Sequence, residues 1–503
     1  MIQYLLTHLV EPSFTVTEVV RKISITIGQH CLTPQLSTGF DVMHDNSIAA
    51  AAHDSYVTQS YKSSCLEGTR MQHIDDITAW TTRINQSQHR LLWMYGPAGV
   101  GKSAVAKSCA EKTAEQHRLG ASFFFSRAHS VDDSKRFFTT IAHQLATKIG
   151  EYRRVLGPTI QHHQDLLSKG LDVQFHELII APFLKLAGKN VQDKTVIIDG
   201  LDECNGDSAQ RKIIELVTKS VIEHGDKIPL LWAFFSRPEP HIDHEFSLHT
   251  SSPLFWKVEL PISRRHDGDI RVYFRDKLRP LAPAGTTWPS EENLDILVTI
   301  VAGLWIYAAT LVKFIADLNG FPGQQLNDVL KFYSQRASRM QSKAESSVTA
   351  ELDAFYLMIM NRISPKHLPV VQQALLLVHQ TLLIHHTESE ILLHGLANIL
   401  GYTLEDLEYA LSKLHSVLVF IPEEGRAWGE PFPGSMRISF YHASFMEFLL
   451  DKRRSGDYWL ENRRHYTTLT TKVLHLFNDL YTMNGISRGT SSISDDISFC
   501  DCN

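Results

Sequence analysis

The stretch Gly96-Pro97-Ala98-Gly99-Val100-Gly101-Lys102-Ser103 decides how this chain is read. It fits the pattern G-x-x-x-x-G-K-[ST], whose glycines let a loop curl until backbone N–H groups point inward at phosphate oxygens. In such a loop Lys102 places its ammonium on the β- and γ-phosphates, and Ser103 offers its hydroxyl to Mg²⁺. The context agrees. Leu91–Tyr95 is an apolar strand candidate before the loop, and Lys102–His117 is a helix candidate after it. Ala104 lies in the first turn of that helix, whose positive dipole end faces the same phosphates.

Working outward, residues 90–240 alternate short apolar runs with amphipathic stretches. Ala121–Ser126, Thr195–Asp199 and Leu230–Ser236 read as further strands. Ser134–Ile149, Phe175–Ala187 and Ala209–His224 read as helices. Strands alternating with helices imply an α/β fold with parallel pairing through right-handed crossovers. The strands lack period-two alternation, as expected of a sheet with helices on both faces.

Two more segments bear on chemistry. Thr195-Val196-Ile197-Ile198-Asp199 is a β-branched run ending in an acid, and a strand-end Asp199 can hold Mg²⁺ directly or through water. In the following Gly200-Leu201-Asp202-Glu203, either Asp202 or Glu203 is suited to orient an attacking water or take its proton. Leu230–Phe235 leads into Ser236-Arg237-Pro238, where Arg237 at a strand end can touch a γ-phosphate; otherwise it is a surface or ion-paired arginine.

Five regions follow from the pattern. Residues 1–64 form a weakly patterned N-terminal segment, with helical pieces in Met1–Ile27 and a linker or helix end at Ser47–Ser60. Residues 65–265 form a nucleotide-binding unit, and 266–345 an all-helical one (Asp267–Leu278, Glu291–Leu318, Gln325–Phe332). Residues 346–465 give helices Leu352–Arg362, Val371–Ile384, Glu388–Leu400 and Leu404–Ser416. Two β-prone runs follow, Val417–Ile421 and Met436–Tyr441, the order a winged helix requires. Residues 466–503 are a helix, Tyr466–Tyr481, and a polar tail expected to be disordered.

The composition sets outer bounds. Of 503 residues, 49 are Lys or Arg and 55 Asp or Glu, a net charge of −6 that argues against a general polyanion binder. The six cysteines are too sparse for a disulfide scaffold and contain no CxxC pair. No secretory signal is read at the N-terminus. The apolar run Ile296 to Val312 falls just short of a membrane span, roughly 18 residues or more. A reducing, cytoplasmic setting is expected.

Together the motifs resemble the NACHT family of STAND P-loop NTPases, specifically its fungal members. Gly96–Ser103 resembles the family's GPAGxGKS loop, and Ile197–Glu203 its hhDGLDE motif. Phe234-Phe235-Ser236-Arg237-Pro238 resembles its first sensor. Cys65-Leu66-Glu67-Gly68-Thr69-Arg70 with Trp80 resembles the C-x-x-G-T-R…W lead-in, with Glu67 where Pro is more usual. Gly303–Thr310 resembles the GLFIWAAT helix, and His442–Leu449 the H-x-S-F-x-E-F segment of the winged-helix domain. The resemblance covers roughly residues 62–465. It implies ATP or ADP with Mg²⁺ as cofactors, with GTP not excluded. It also implies slow hydrolysis and self-association in the ATP state; an AAA-like ATPase doing mechanical work and a nucleotide-binding remnant without hydrolysis are the alternatives. No nucleic acid is expected as partner, because the chain is mildly acidic and has no long basic helix, and no membrane is expected. His442 would reach the β-phosphate of ADP and hold a closed state. Family members usually add an N-terminal effector and a C-terminal repeat array; residues 1–60 are short for an effector, and no repeat is read.

Overall fold

The computed structural model describes residues 39–83, 88–249, 252–283, 285–340, 348–384, 392–422, 436–461 and 464–472. Five parallel strands form the central sheet: β1 (Leu91–Tyr95), β2 (Leu119–Phe124), β3 (Lys194–Asp199), β4 (Leu230–Ser236) and β5 (Phe255–Glu259). Their order is β2-β3-β4-β1-β5. The register aligns the carboxyl ends of the three central strands, Tyr95 facing Ser236 and Asp199 facing Phe235. The segments that leave these ends therefore start side by side.

Strands β1 to β4 are buried almost throughout, and their residues alternate between two apolar layers. Leu92, Met94, Ile197, Ala233 and Phe235 face one layer. It takes in Ile74, Ile77 and Trp80 of the helix Met71–Thr81 and Val105, Cys109 and Ala110 of the helix Lys102–Glu115, and it continues through the helices beyond residue 267. Trp93, Phe123, Val196, Ile198, Trp232 and Phe234 face the other layer, closed by helices Phe137–Lys148 and Asp207–His224. Met43, Ile48 and Ala51 belong to this second layer, so residues 39–62, placed by the pattern ahead of the nucleotide-binding unit, pack directly on its sheet.

Strands β1 and β4 and the helix Asp267–Leu278 match their expected limits; the helix expected at Gln325–Phe332 runs longer, Pro322–Met340, and most other expected elements shift by a few residues. Strand β5 was not expected. It is half-exposed along most of its length and carries Lys257 and Glu259, so no apolar run marks it. The expected single helix Glu291–Leu318 is two, Glu291–Val301 and Trp305–Ile315. The chain turns at Ala302 (φ 45°) and Gly303 (φ 84°), where a Cβ on Gly303 would lie 2.5 Å from the Ser263 carbonyl oxygen. No helix among the described residues is long and apolar enough to cross a membrane.

Beyond Ile315 the helices run Pro322–Met340, Val348–Met360, Leu368–Ile384, Leu393–Leu400 and Leu404–Leu411. They lead to an antiparallel pair, β6 (Leu418–Pro422) and β7 (Met436–Phe440), and to the helix Ala443–Leu450. Residues 464–472 are helical. The expectations for Met1–Ile27, for the turn between β6 and β7 and for the polar tail lie outside the described residues. Cys65, Cys109 and Cys204 are free thiols.

Candidate nucleotide site

The loop after β1 is held from three sides. Gly99 and Gly101 take φ of 77° and 95°, a region that costs a residue with a Cβ. A Cβ on Gly96 would lie 2.2 Å from the Leu260 carbonyl oxygen, so the loop's first residue is pressed against the chain leaving β5. From above, the Ile306 N–H donates to the Gly99 carbonyl at 2.9 Å, and a Cβ on Gly99 would meet the Ile306 side chain at 2.1 Å. The helix Trp305–Ile315 thus seats its first turn on the loop. Beside that helix, Arg70 donates through Nη2 to the Val100 carbonyl at 2.8 Å and lies over the Trp305 ring at 5.4 Å. Leader and helix motifs are therefore both braces of one loop.

Lys102 is buried, and its Nζ donates to the carbonyls of Gly96 (2.7 Å) and Pro97 (2.8 Å). Burial pushes it down to about 8, with the Arg237 and Lys62 cations acting the same way and Asp202 and Asp199 opposing. An anion entering the loop would stabilise that charge. Ser103 and Asp199 face each other across a third group, Lys62, whose Nζ donates to Asp199 Oδ2 at 2.7 Å and to Ser103 Oγ at 3.1 Å. Gly200 (φ 71°) has the Phe125 carbonyl oxygen 2.9 Å from where its Cβ would be, which fixes the turn after Asp199.

The two acids beyond are used differently. Asp202 accepts from the Arg237 backbone N–H through Oδ1 (2.9 Å) and pairs through Oδ2 with Arg237 Nε (3.3 Å). Glu203 accepts from the Arg127 backbone N–H at 3.2 Å. Burial raises its carboxyl above the usual range, against the pull of Lys62. Arg237 also reaches out of the sheet unit, with Nη1 2.6 Å from Glu447 Oε1 on the helix Ala443–Leu450.

His442 caps that helix, its Nδ1 accepting from the Ser444 backbone N–H at 3.1 Å. An accepting Nδ1 leaves the proton of a neutral imidazole on Nε2. Burial pushes His442 down to about 3, helped by the cations of Arg237, Lys62 and Lys102. The ring is a neutral donor.

Ala98, Gly99, Gly101, Lys102, Ser103, Ala104, Asp199, Asp202, Glu203, Arg237 and His442 all line one cavity of about 320 Å³. That lies at the small end of ligand pockets, roughly 300–1,000 Å³. Of the other loop residues, Gly96 backs onto Leu260, Pro97 is exposed, and Val100 is fully buried with its carbonyl on Arg70. The rest of the lining includes the apolar and aromatic side chains of Leu66, Tyr273, Trp305, Ile306 and Tyr441, with Arg70 and Lys277 beside them. The Trp305 indole N–H is buried without a partner. A phosphate loop, apolar walls and an unused indole donor in one cavity fit a nucleotide; Ser103 and Asp199 are an oxygen pair of the kind Mg²⁺ takes.

The motifs missed Lys62 and Tyr61, the latter stacked on His129 at 3.6 Å, and the role of Glu447. Glu447 sits inside the H-x-S-F-x-E-F segment and was within reach of a motif reading. Lys62 meets its partners across 41 and 137 positions, and no local pattern signals it.

Residues 68–237 match the family model described as nephrocystin 3, N-terminal, a segment shorter than half the chain. No curated protein matches the chain. Among solved structures it is similar to a STAND protein with a tetratricopeptide repeat sensor from Pyrococcus horikoshii (12% identity, 84% of this chain, TM-score 0.41). The chain spans about half of that protein, 51%. It is also similar to a Walker-type ATPase of Pyrococcus abyssi (12% identity, 77% of this chain and 97% of that one, TM-score 0.33). A third is Cdc6p of Pyrobaculum aerophilum (12% identity, 81% and 93%, TM-score 0.33). Likenesses this distant say nothing of substrate or partner.

Proposed function

We propose that the chain is a nucleotide-dependent switch of the NACHT type, binding ATP or ADP with Mg²⁺ and hydrolysing ATP slowly. The observation that carries this reading is the cavity's construction from two units. Its floor is the loop Gly96–Ser103, and its lid is His442 with the Arg237–Glu447 pair, which ties the sheet unit to the C-terminal one. We read the helices, β6–β7 and Ala443–Leu450 as a winged-helix lid.

In this reading the loop N–H groups and Lys102 hold the phosphates, and the His442 Nε2–H donates to them from the lid. The apolar and aromatic walls would receive the base, and among the described residues no contact is assigned that selects adenine over guanine. Ser103 and Asp199 would hold Mg²⁺, which supplies charge neutralisation between the β- and γ-phosphates. Glu203, with its raised proton affinity, is the better base, because Arg237 engages both oxygens of Asp202. Arg237 is itself tied to Glu447, so it must leave the lid to meet a γ-phosphate. A site that withholds its arginine until the lid moves suits slow turnover and a two-state device. A nucleotide shifts such a device only through unequal affinity for its states.

The test is to identify the nucleotide retained by the purified protein and to measure its mass by light scattering in ADP and in ATP. Lys102→Ala should lose nucleotide, and ATP should drive self-association of the wild type. Full retention by Lys102→Ala would sink the site, and a monomer in both nucleotides would sink the switch.

A further inference from the structure

Lys62 occupies the position that the Mg²⁺ reading assigns to a metal. Its ammonium bridges Ser103 Oγ and Asp199 Oδ2, the two oxygens named above as metal ligands. Asp199 is 1% exposed, and a carboxylate so buried is costly without a counter-charge. Lys62 meets that need from outside the motif.

The lysine is delivered by an ordered strap. The short helix Tyr56–Tyr61 is capped by Ser55, whose Oγ accepts from the Thr58 N–H at 3.0 Å. Thr58 Oγ1 ties the strap to the Ala50 carbonyl at 2.8 Å. Tyr61 lies flat on His129, and Lys107 Nζ donates to the Lys62 carbonyl at 2.6 Å. The helix that begins at the loop thus fixes the backbone of the residue that reaches back to it.

An ammonium 2.7–3.1 Å from two oxygens and a divalent ion about 2.0–2.1 Å from the same oxygens exclude each other. We propose that Lys62 is a built-in counter-ion of the metal seat. It holds Ser103 and Asp199 together in the metal-free state, and Mg²⁺ arriving with nucleotide displaces it and frees the strap at residues 55–62. This rests on the Mg²⁺-nucleotide reading of the site. It adds that the resting fold accepts nucleotide without metal, and that the metal's gain in affinity is offset by removal of the lysine.

The test compares the full chain with Lys62→Met and Lys62→Gln. ADP affinity is measured by calorimetry in EDTA and in Mg²⁺, and Mn²⁺ binding by electron paramagnetic resonance with and without ADP. The Mg²⁺ enhancement of ADP affinity should rise at least tenfold in the variants, and Mn²⁺ should bind at least tenfold tighter. Hydrogen exchange of the wild type needs no variant, and amides 56–62 should exchange at least tenfold faster in Mg²⁺-ADP than in ADP with EDTA. An equal Mg²⁺ enhancement in all proteins, or strap amides equally protected in both conditions, would overturn the proposal while leaving the nucleotide reading intact. Failure of every protein to bind ADP would overturn the nucleotide reading; the Mn²⁺ titration without ADP then decides the role of Lys62 by itself.

Discussion

At the scale of residues, the site is defined by cations held close together and largely buried. His442 and His129 are both pushed down to about 3 by burial and by neighbouring cations. Unfolded histidines take up a proton near 6.5, so between about 6.5 and 3 the unfolded chain binds more protons than the folded one. Stability should therefore fall as the pH falls through this window. Replacing His442 by Asn, which keeps an acceptor for the Ser444 N–H, should remove about one proton, or ~1.4 kcal/mol per pH unit, from that slope. Urea unfolding between pH 6 and 4.5 measures it, and an unchanged slope would show that His442 titrates normally. Glu447→Ala removes the lid's hold on Arg237. Release of a fluorescent ADP should accelerate at least fivefold, and an unchanged rate would dismiss the pair as a latch.

Residues such as Gly99, Lys102, Asp199 and Arg237 could be read from the chain, because each lies in a short segment whose chemistry is set by its immediate neighbours. Lys62 could not. Its meaning comes entirely from two oxygens far away in sequence, and alone it is one more lysine in a polar stretch.

At the scale of elements, the turn at Ala302-Gly303 aims the helix Trp305–Ile315 at the loop. Gly303→Ala would place a Cβ against the Ser263 backbone at a φ that disfavours it. The expected loss is about 2 kcal/mol or more of stability, with weakened nucleotide binding. Gly268→Ala in the helix Asp267–Leu278, where nothing lies within 4 Å, should be neutral or slightly stabilising. Denaturant unfolding of the two variants separates them, and equal effects would remove the aiming role. The turn escaped the sequence reading because apolar residues on every side of Ile296–Val312 hide the helical period. The strand β5 escaped because an edge strand with charged residues has no apolar run to show.

At the scale of the molecule, the two faces of the sheet have different histories. The layer behind Trp93, Phe123 and Trp232 is completed by residues no later than Phe255. The layer behind Leu92, Met94 and Phe235 draws on residues as late as Leu469. During synthesis, which runs from the N-terminus, one layer can close by residue 255, while the other has only the helices Met71–Thr81 and Lys102–Glu115 and waits for some two hundred further residues to be completed. A fragment ending at residue 265 should thus carry an incompletely covered apolar layer and bind a hydrophobic dye, and a fragment that stays monomeric without dye binding would refute this. The loop Gly96–Ser103 borders the waiting face, and its brace at Ile306 has not yet been made. The growing polypeptide therefore carries its glycine-rich loop without this brace until the helix Trp305–Ile315 has emerged, so a nucleotide that reaches it on the ribosome would meet the loop before that helix is seated on it.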